Sequence, residues 1–248
     1  MSLIKTVAEI KIIEEGGKIL AEILNLTISK LKIGMSTMEL DAIAQTFFDK
    51  SPGVPSFKNY EGFPAATCIS VNDGVVHGIP KKDKILKDGD IVGIDLGLKY
   101  KGLYTDMAKT VPVGKITKSN EKLLSVTKKS LELGISQARP GNKIGDIGFA
   151  VQNYAEKMGF SVVRTLVGHG VGHEVHEEPR VPNFGTKGQG GDILEGMVLA
   201  IEPMLNIGKY DVETSSDQWT ITTVDGSLSA HFEHTIAVTA KGAKVLTL

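Results

Sequence analysis

Four carboxylates end or follow apolar runs in this 248-residue chain: Asp95 after Ile91-Val92-Gly93-Ile94, Asp106 after Tyr104-Thr105, Glu202 after Met197-Val198-Leu199-Ala200-Ile201, and Glu233 after His231-Phe232. A buried carboxylate is costly unless neutralised, and four converging on one place repel one another unless cations lie between them. One or two divalent ions held by such oxygens and a histidine suit Mn, Fe(II) or Co better than a thiolate-seeking ion, with zinc also open. The single cysteine, Cys68, excludes a Cys-based zinc site and an internal disulfide.

Three of the six histidines fall in one run, Gly168-His169-Gly170-Val171-Gly172-His173-Glu174-Val175-His176-Glu177-Glu178-Pro179. The alternating glycines argue against a helix that would array all three on one face, and the run is not His-Glu-x-x-His. A zinc triad is therefore not expected, and His173 is set aside. His231 and His234, beside Glu233, are read as structural hydrogen-bonding residues.

The carboxylates belong to an internal repeat. Lys87-Asp88-Gly89-Asp90-Ile91-Val92-Gly93-Ile94-Asp95 returns 107 residues later as Leu194-Glu195-Gly196-Met197-Val198-Leu199-Ala200-Ile201-Glu202, and Lys32-Ile33-Gly34 returns at the same offset as Arg139-Pro140-Gly141. Val76-His77-Gly78-Ile79-Pro80 matches Val175-His176-Glu177-Glu178-Pro179 at an offset of 99, and Thr105-Asp106 matches Phe232-Glu233 at 127. The conserved order pairs Asp95 with Glu202, Asp106 with Glu233 and His77 with His176. Two copies are too few for a solenoid, so they imply two similar units packed about a pseudo-two-fold axis, with equivalent residues meeting where clefts form.

Each unit must supply elements that carry these residues to the junction. Helical spacing is seen for Ile10, Ile13, Leu20, Ile23 and Leu24, and for Leu40, Ile43, Ala44 and Phe47 behind the capping pair Ser36 and Glu39. The second half repeats it with Leu123, Leu124 and Leu131, then Ile147, Ala150, Val151 and Tyr154 up to Gly159. Strand-like runs follow at 66–71, 91–98 and 107–113, then at 160–167, 197–201 and 235–239. Gly208 to Tyr210 and Val224 to Ser227 read as hairpin turns. Helices before strands, twice, predict an α+β fold with sheets wrapped by helices, in one domain over 1–248 made of two halves, about 1–113 and 114–248.

Composition bounds the partners. Lys and Arg number 28 against 29 Asp and Glu, and 41% of residues are hydrophobic, so the chain has neither a basic excess for nucleic acid nor a disordered composition. No transmembrane run occurs, and Met1-Ser2-Leu3-Ile4-Lys5-Thr6 leads into charged residues rather than an apolar leader segment, which predicts a soluble, cytoplasmic protein with no membrane partner.

Together, Val76-His77-Gly78-Ile79-Pro80, Ile94-Asp95, Thr105-Asp106, Gly168-His169-Gly170-Val171-Gly172, His176-Glu177-Glu178-Pro179, Ile201-Glu202-Pro203 and Glu233-His234-Thr235 resemble the type I methionine aminopeptidases, from Ile4-Lys5-Thr6 to Val238-Thr239. The resemblance implies the pita-bread fold and a metal-dependent hydrolase that removes N-terminal methionine when the second residue is small. It implies two divalent ions (Co, Mn, Fe(II) or Zn), Asp95 chelating one, His169 and Glu202 holding the other, and Asp106 and Glu233 bridging them. Glu202 would pass a proton from the attacking, metal-bridged water to the leaving amine, His176 would donate to the carbonyl oxygen, and His77 would position the scissile amide. The positions matching the family's methionine pocket include Tyr60, Phe63, Cys68, Val175 and Trp219, with Phe57 and Phe63 departing from its common residues and Val175 standing where an aromatic is frequent. The resemblance further implies nascent polypeptide N-termini as substrates, the ribosome as a candidate partner, a monomer, and a candidate monovalent cation near Asn72, Gly74 and Ser229. Prolidases and Xaa-Pro aminopeptidases share the metal set but usually carry an extra N-terminal domain; the type II enzymes carry a domain-sized insertion that this chain lacks. A pseudoenzyme that only binds would be expected to have lost ligands, and all five are present.

Overall fold

The computed structural model describes residues 3–248; Met1 and Ser2, the start of the segment read above as lacking an apolar leader, lie outside the described residues. The chain opens with α1 (Val7–Lys30) and α2 (Thr37–Phe48), each begun by a capping box, Thr6 with Glu9 and Ser36 with Glu39. In each box the N-cap hydroxyl accepts the N3 amide while the glutamate reaches back to the N-cap amide, so two orphan donors are satisfied at once. The strands β1 (Val54–Pro55), β2 (Thr67–Val71), β3 (Gly74–Val76), β4 (Ile91–Tyr100) and β5 (Leu103–Pro112) follow. Then come α3 (Lys118–Gln137) and α4 (Ile144–Lys157), and the strands β6 (Ser161–Val162), β7 (Val167–Gly170), β8 (Glu177–Pro182), β9 (Val198–Ile201), β10 (Met204–Asn206), β11 (Val212–Thr214), β12 (Ile221–Thr223), β13 (Ser229–His231), β14 (His234–Thr239) and β15 (Gly242–Val245).

Helix pairs therefore precede strands twice, and the α+β class read from the sequence holds. Every strand pairing is antiparallel. β4 pairs along its whole length with its hairpin partner β5 and along its other edge with β2 and, further on, β1; the second large sheet runs β15-β14-β9-β7-β8. Two smaller sheets, β13-β10-β6 and β11-β12-β3, complete the set, and the latter joins strands of the second half to β3 of the first.

One core packs α1 and α2 on the β4 sheet through Leu20, Leu24, Leu40, Phe48, Ile94, Leu96 and Leu98. Another packs Leu131 and Ile147 on Leu199, Ile201, Ile236 and Val238. Others draw on both halves: Ile91 sits with Leu123, Val162 and Leu205, and Ile13 with Val171, Val198 and Leu246. α1 reaches its neighbour closely because position 17 has no side chain; a Cβ there would lie 2.3 Å from the Leu246 carbonyl oxygen.

Three sequence expectations need correction. The run at 160–167 is not one strand: β6 pairs with β10, whereas β7 pairs with β8 and β9, so the chain changes sheets between Val162 and Val167. Neither Gly208 to Tyr210 nor Val224 to Ser227 is a hairpin turn. β10 leaves its sheet at the first, and β12 leaves for a different sheet at the second, while the true hairpin is β11–β12 around Ser215 to Thr220. Turn-forming residues mark where a chain reverses, but not which strand receives it.

Candidate active site

The seam between the two large sheets places the carboxylates. Asp106 on β5 and Thr235 on β14 are tied by two bonds: the Asp106 amide donates to Thr235 Oγ1 at 2.9 Å, and that hydroxyl donates to the Asp106 carbonyl at 2.8 Å. Thr110 and His231 repeat the device, Thr110 Oγ1 donating to the His231 carbonyl at 2.8 Å and accepting from its amide at 2.9 Å. The Glu233 amide donates to the Ala108 carbonyl at 2.9 Å. These bonds hold Asp106 and Glu233 side by side, and β7, paired with β9, adds His169, so that one ligand atom from each lies within 4.8 Å of the others. Asp95, near the middle of β4, and Glu202, just beyond β9, line the same cavity.

The cavity has a volume of about 180 Å³. Its floor carries Asp95, Asp106, His169, Glu202 and Glu233, and its walls Phe57, Tyr60, Phe63, Cys68 and Trp219, so the structure brings the five residues expected as ligands and four of the five expected pocket residues to one place. His77 and His176 line it too. Val175 does not: it is buried behind the wall, packed with Phe57, Phe63 and Cys68. Trp219 meets Phe63 edge-on at 5.2 Å and is held in the β11–β12 turn, where Asp217 accepts from the Trp219 and Thr220 amides and from Lys81. His77 follows β3 with φ of 56°, a left-handed conformation that is uncommon for a side chain with a Cβ and recurs at functional sites. His176 stands at the mouth, its Nδ1 3.3 Å from the Tyr60 hydroxyl and its ring 4.5 Å from that of His169.

The electrostatics ask for cations. Burial holds the carboxyls of Asp106, Glu202 and Glu233 well above the usual carboxylate range, with their mutual repulsion adding to it, and burial raises Asp95 as well. Burial likewise pushes His169 down to about 3 and His77 to about 4, so both imidazoles are neutral at pH 7. His169 faces the Gly170 carbonyl with Nδ1 at 2.8 Å; since only an N–H satisfies a carbonyl, the proton belongs on Nδ1 and Nε2 carries a lone pair. That lone pair lies 3.4 Å from Glu202 Oε1, an arrangement of two acceptors that needs a cation or a proton near both. Asp95 Oδ1 and Glu233 Oε1 are buried with no hydrogen-bond partner. A neutral nitrogen and two unpartnered carboxylate oxygens fit a hard or borderline divalent ion.

Sequence reasoning missed some of the lining. Glu61, Val76, Leu166, Val167 and Met204 also face the cavity. His231, read as merely structural, has Nε2 buried without a hydrogen bond, 3.6 Å from Glu202 Oε2 and 4.0 Å from Glu233 Oε2. Its place two residues before Glu233 was the available signal, since alternation along an extended chain puts residues i and i+2 on the same side. His234 matches its structural reading, with Nδ1 2.9 Å from Thr247 Oγ1. Asn72 and Ser229, singled out for a monovalent cation, are adjacent: the Ser229 amide donates to the Asn72 carbonyl at 2.9 Å.

Residues 11–240 match metallopeptidase family M24. The chain is 50% identical to the methionine aminopeptidase of Clostridium perfringens (strain 13 / Type A) over 248 residues, which cover 100% of this chain and 99% of that protein. It superposes on the crystal structure of methionine aminopeptidase from Thermotoga maritima with a TM-score of 0.96 at 44% identity, over 98% of each chain. The prolidase from Pyrococcus horikoshii OT3 shares the fold at a TM-score of 0.80 and 26% identity, covering 99% of this chain but 63% of that one.

Proposed function

The chain belongs to metallopeptidase family M24, and from this premise we propose how its residues divide the work of removing an N-terminal methionine. Its fold is the pita-bread fold, and its activity is that of a metal-dependent methionyl aminopeptidase. We assign two divalent ions to Asp95, Asp106, His169, Glu202 and Glu233, drawn from Co, Mn, Fe(II) or Zn. Bound there, the ions supply Lewis acidity toward the scissile carbonyl and make a water acidic enough to attack at neutral pH.

The remaining steps fall to side chains. Glu202 accepts the proton of the attacking water and delivers it to the leaving amine. His176, at the mouth and neutral because burial lowers it against the field of Glu61, donates to the carbonyl oxygen as negative charge develops. His77 orients the scissile amide. Tyr60, Phe63, Cys68 and Trp219 enclose the methionine side chain, and the cavity favours a small second residue. The chain works as one catalytic domain of two related halves, a monomer in the cytoplasm acting on nascent chains, with the ribosome as candidate partner; among the described residues no helix is long and apolar enough to cross a membrane.

The observation that carries this reading is the His169 lone pair facing Glu202 among buried, unpartnered carboxylates at the base of an apolar cavity. Metal-stripped protein given Mn, Fe(II), Co or Zn in turn is expected to release methionine from Met-Ala-Ser but nothing from Ala-Ala-Ser, and Glu202→Ala to abolish release. Undiminished release by the variant would overturn the assignment of Glu202.

A further inference from the structure

The run 171–176 contains no helix or strand, yet it delivers His176 to the cavity between β7 and β8. What shapes it is the next residue. Glu177 turns back into the protein, its Oε1 accepting from the His173 amide and, at 2.9 Å, from the Glu174 amide, while Oε2 pairs with Lys5 Nζ. The two side chains of that pair are 1% and 7% exposed, so it is an interior ion pair joining residues 172 positions apart. Lys5 is itself fixed from the other side, its amide donating to the Gly196 carbonyl at 2.8 Å. A Cβ at Gly172 would come within 2.8 Å of Lys5 Cε, so the loop lies directly on the lysine stem. Glu9 adds a second brace: one carboxylate oxygen closes the α1 capping box and the other meets His173 Nε2 at 2.8 Å.

We propose that the Lys5–Glu177 pair is a positioning device for the reaction: it anchors the 172–176 turn to the segment before α1 and so fixes where His176 stands against the substrate carbonyl. The proposal rests on the role given to His176 above. Neither Lys5 nor Glu177 lines the cavity, so both act through the turn rather than on substrate. An unbraced glycine-flanked loop would sample many orientations, and a displacement of about 1 Å in such a group costs on the order of a hundredfold in rate.

The test is a double-mutant cycle between Lys5→Met and His176→Ala in the metal-loaded protein, following kcat and KM on Met-Ala-Ser. Lys5→Met is expected to lower kcat about tenfold or more while KM and bound metal per chain stay within twofold, and to cause no further loss when His176 is already alanine. Lys5→Arg should restore most of the rate. Equal losses in both backgrounds, or no loss at all, would overturn the proposal. If Lys5→Met does not fold, judged by circular dichroism, Glu177→Gln serves the same cycle, because its amide oxygen still accepts the loop amides while the charge is gone. A second readout uses NMR of the histidine rings in metal-free protein: the variant should broaden or shift the His176 signal and leave His77 unchanged. Unaltered His176 signals would sink the device even if His176→Ala proved fully active, an outcome that would count separately against the mechanistic role of His176.

Discussion

At the residue scale the site is a set of polar groups that the protein cannot satisfy by itself. His169 spends its only proton on the Gly170 carbonyl and turns a bare Nε2 toward Glu202, and Asp95 Oδ1 and Glu233 Oε1 have no donors. Burial favours protonated carboxyls there in the absence of cations. Metal loading of stripped protein at about pH 7 is therefore expected to release protons. Calorimetric titrations in buffers of different ionisation enthalpy measure that number directly, and Glu233→Gln should reduce it; a heat independent of buffer would contradict the picture. His77 and His176 lie outside the carboxylate cluster, so His77→Ala or His176→Ala should cost about a hundredfold in kcat, the loss typical of a removed transition-state donor, with metal affinity retained.

At the scale of elements, short strands hold the site by close approach. His169 sits on β7 between two glycines; a Cβ at Gly168 would lie 2.4 Å from the Ala200 carbonyl oxygen, and one at Gly170 2.2 Å from that of Glu178. Both neighbours are backbone and cannot step aside. Gly170→Ala should therefore destabilise the fold by about 3 kcal/mol, visible as a lowered urea midpoint with an unchanged slope. Helix α1 is joined to the 172–176 turn through Glu9, whose carboxyl is held at about 2 by the His173 hydrogen bond first and the Thr6 amide second. A carboxyl whose pKa falls on folding adds stability above its unfolded value, here 4.5, and loses it as the pH drops toward the folded value. The stability gap between the unaltered protein and Glu9→Gln should be complete at about pH 6 and close as the pH falls from about 4.5 to about 2. A gap that widened in acid would have the wrong sign.

At the scale of the whole molecule, the cavity exists because β5 and β14 meet without forming a regular ladder. Two threonine hydroxyls tie β5 across the seam instead: Thr235 on β14 bonds to Asp106, and Thr110 on β5 to His231 at the end of β13. Thr235 is fully buried, so Thr235→Val would leave the Asp106 amide and carbonyl without partners, a cost of about 2–3 kcal/mol. Weaker metal binding should accompany that loss, because Asp106 and Glu233 face each other across this seam. Thr235→Ser, which keeps the hydroxyl, should retain both stability and metal affinity.

Much of this was legible in the sequence, for physical reasons that differ by feature. Capping boxes and helical periodicity depend on neighbours within a few residues, so α1 and α2 could be read from Thr6, Glu9, Ser36, Glu39 and the spacing of Leu20, Leu24, Leu40 and Ala44. The repeat paired Asp95 with Glu202 and Asp106 with Glu233 because two stretches of one chain can be compared without knowing where either goes. Sheet membership could not be read, since 160–167 changes sheets midway and the turns at Gly208 and Val224 lead the chain from one sheet into another. For the same reason Val175 was expected in the pocket and lies behind it, whereas His231 was set aside and lies against two carboxylates. The sequence by itself picked out the polar residues that meet in the cavity and paired them through the repeat. Tertiary structure alone decided which atoms are left without partners and which distant side chains, such as Lys5, brace the loop, because burial and long-range contact arise only when separate elements pack against one another.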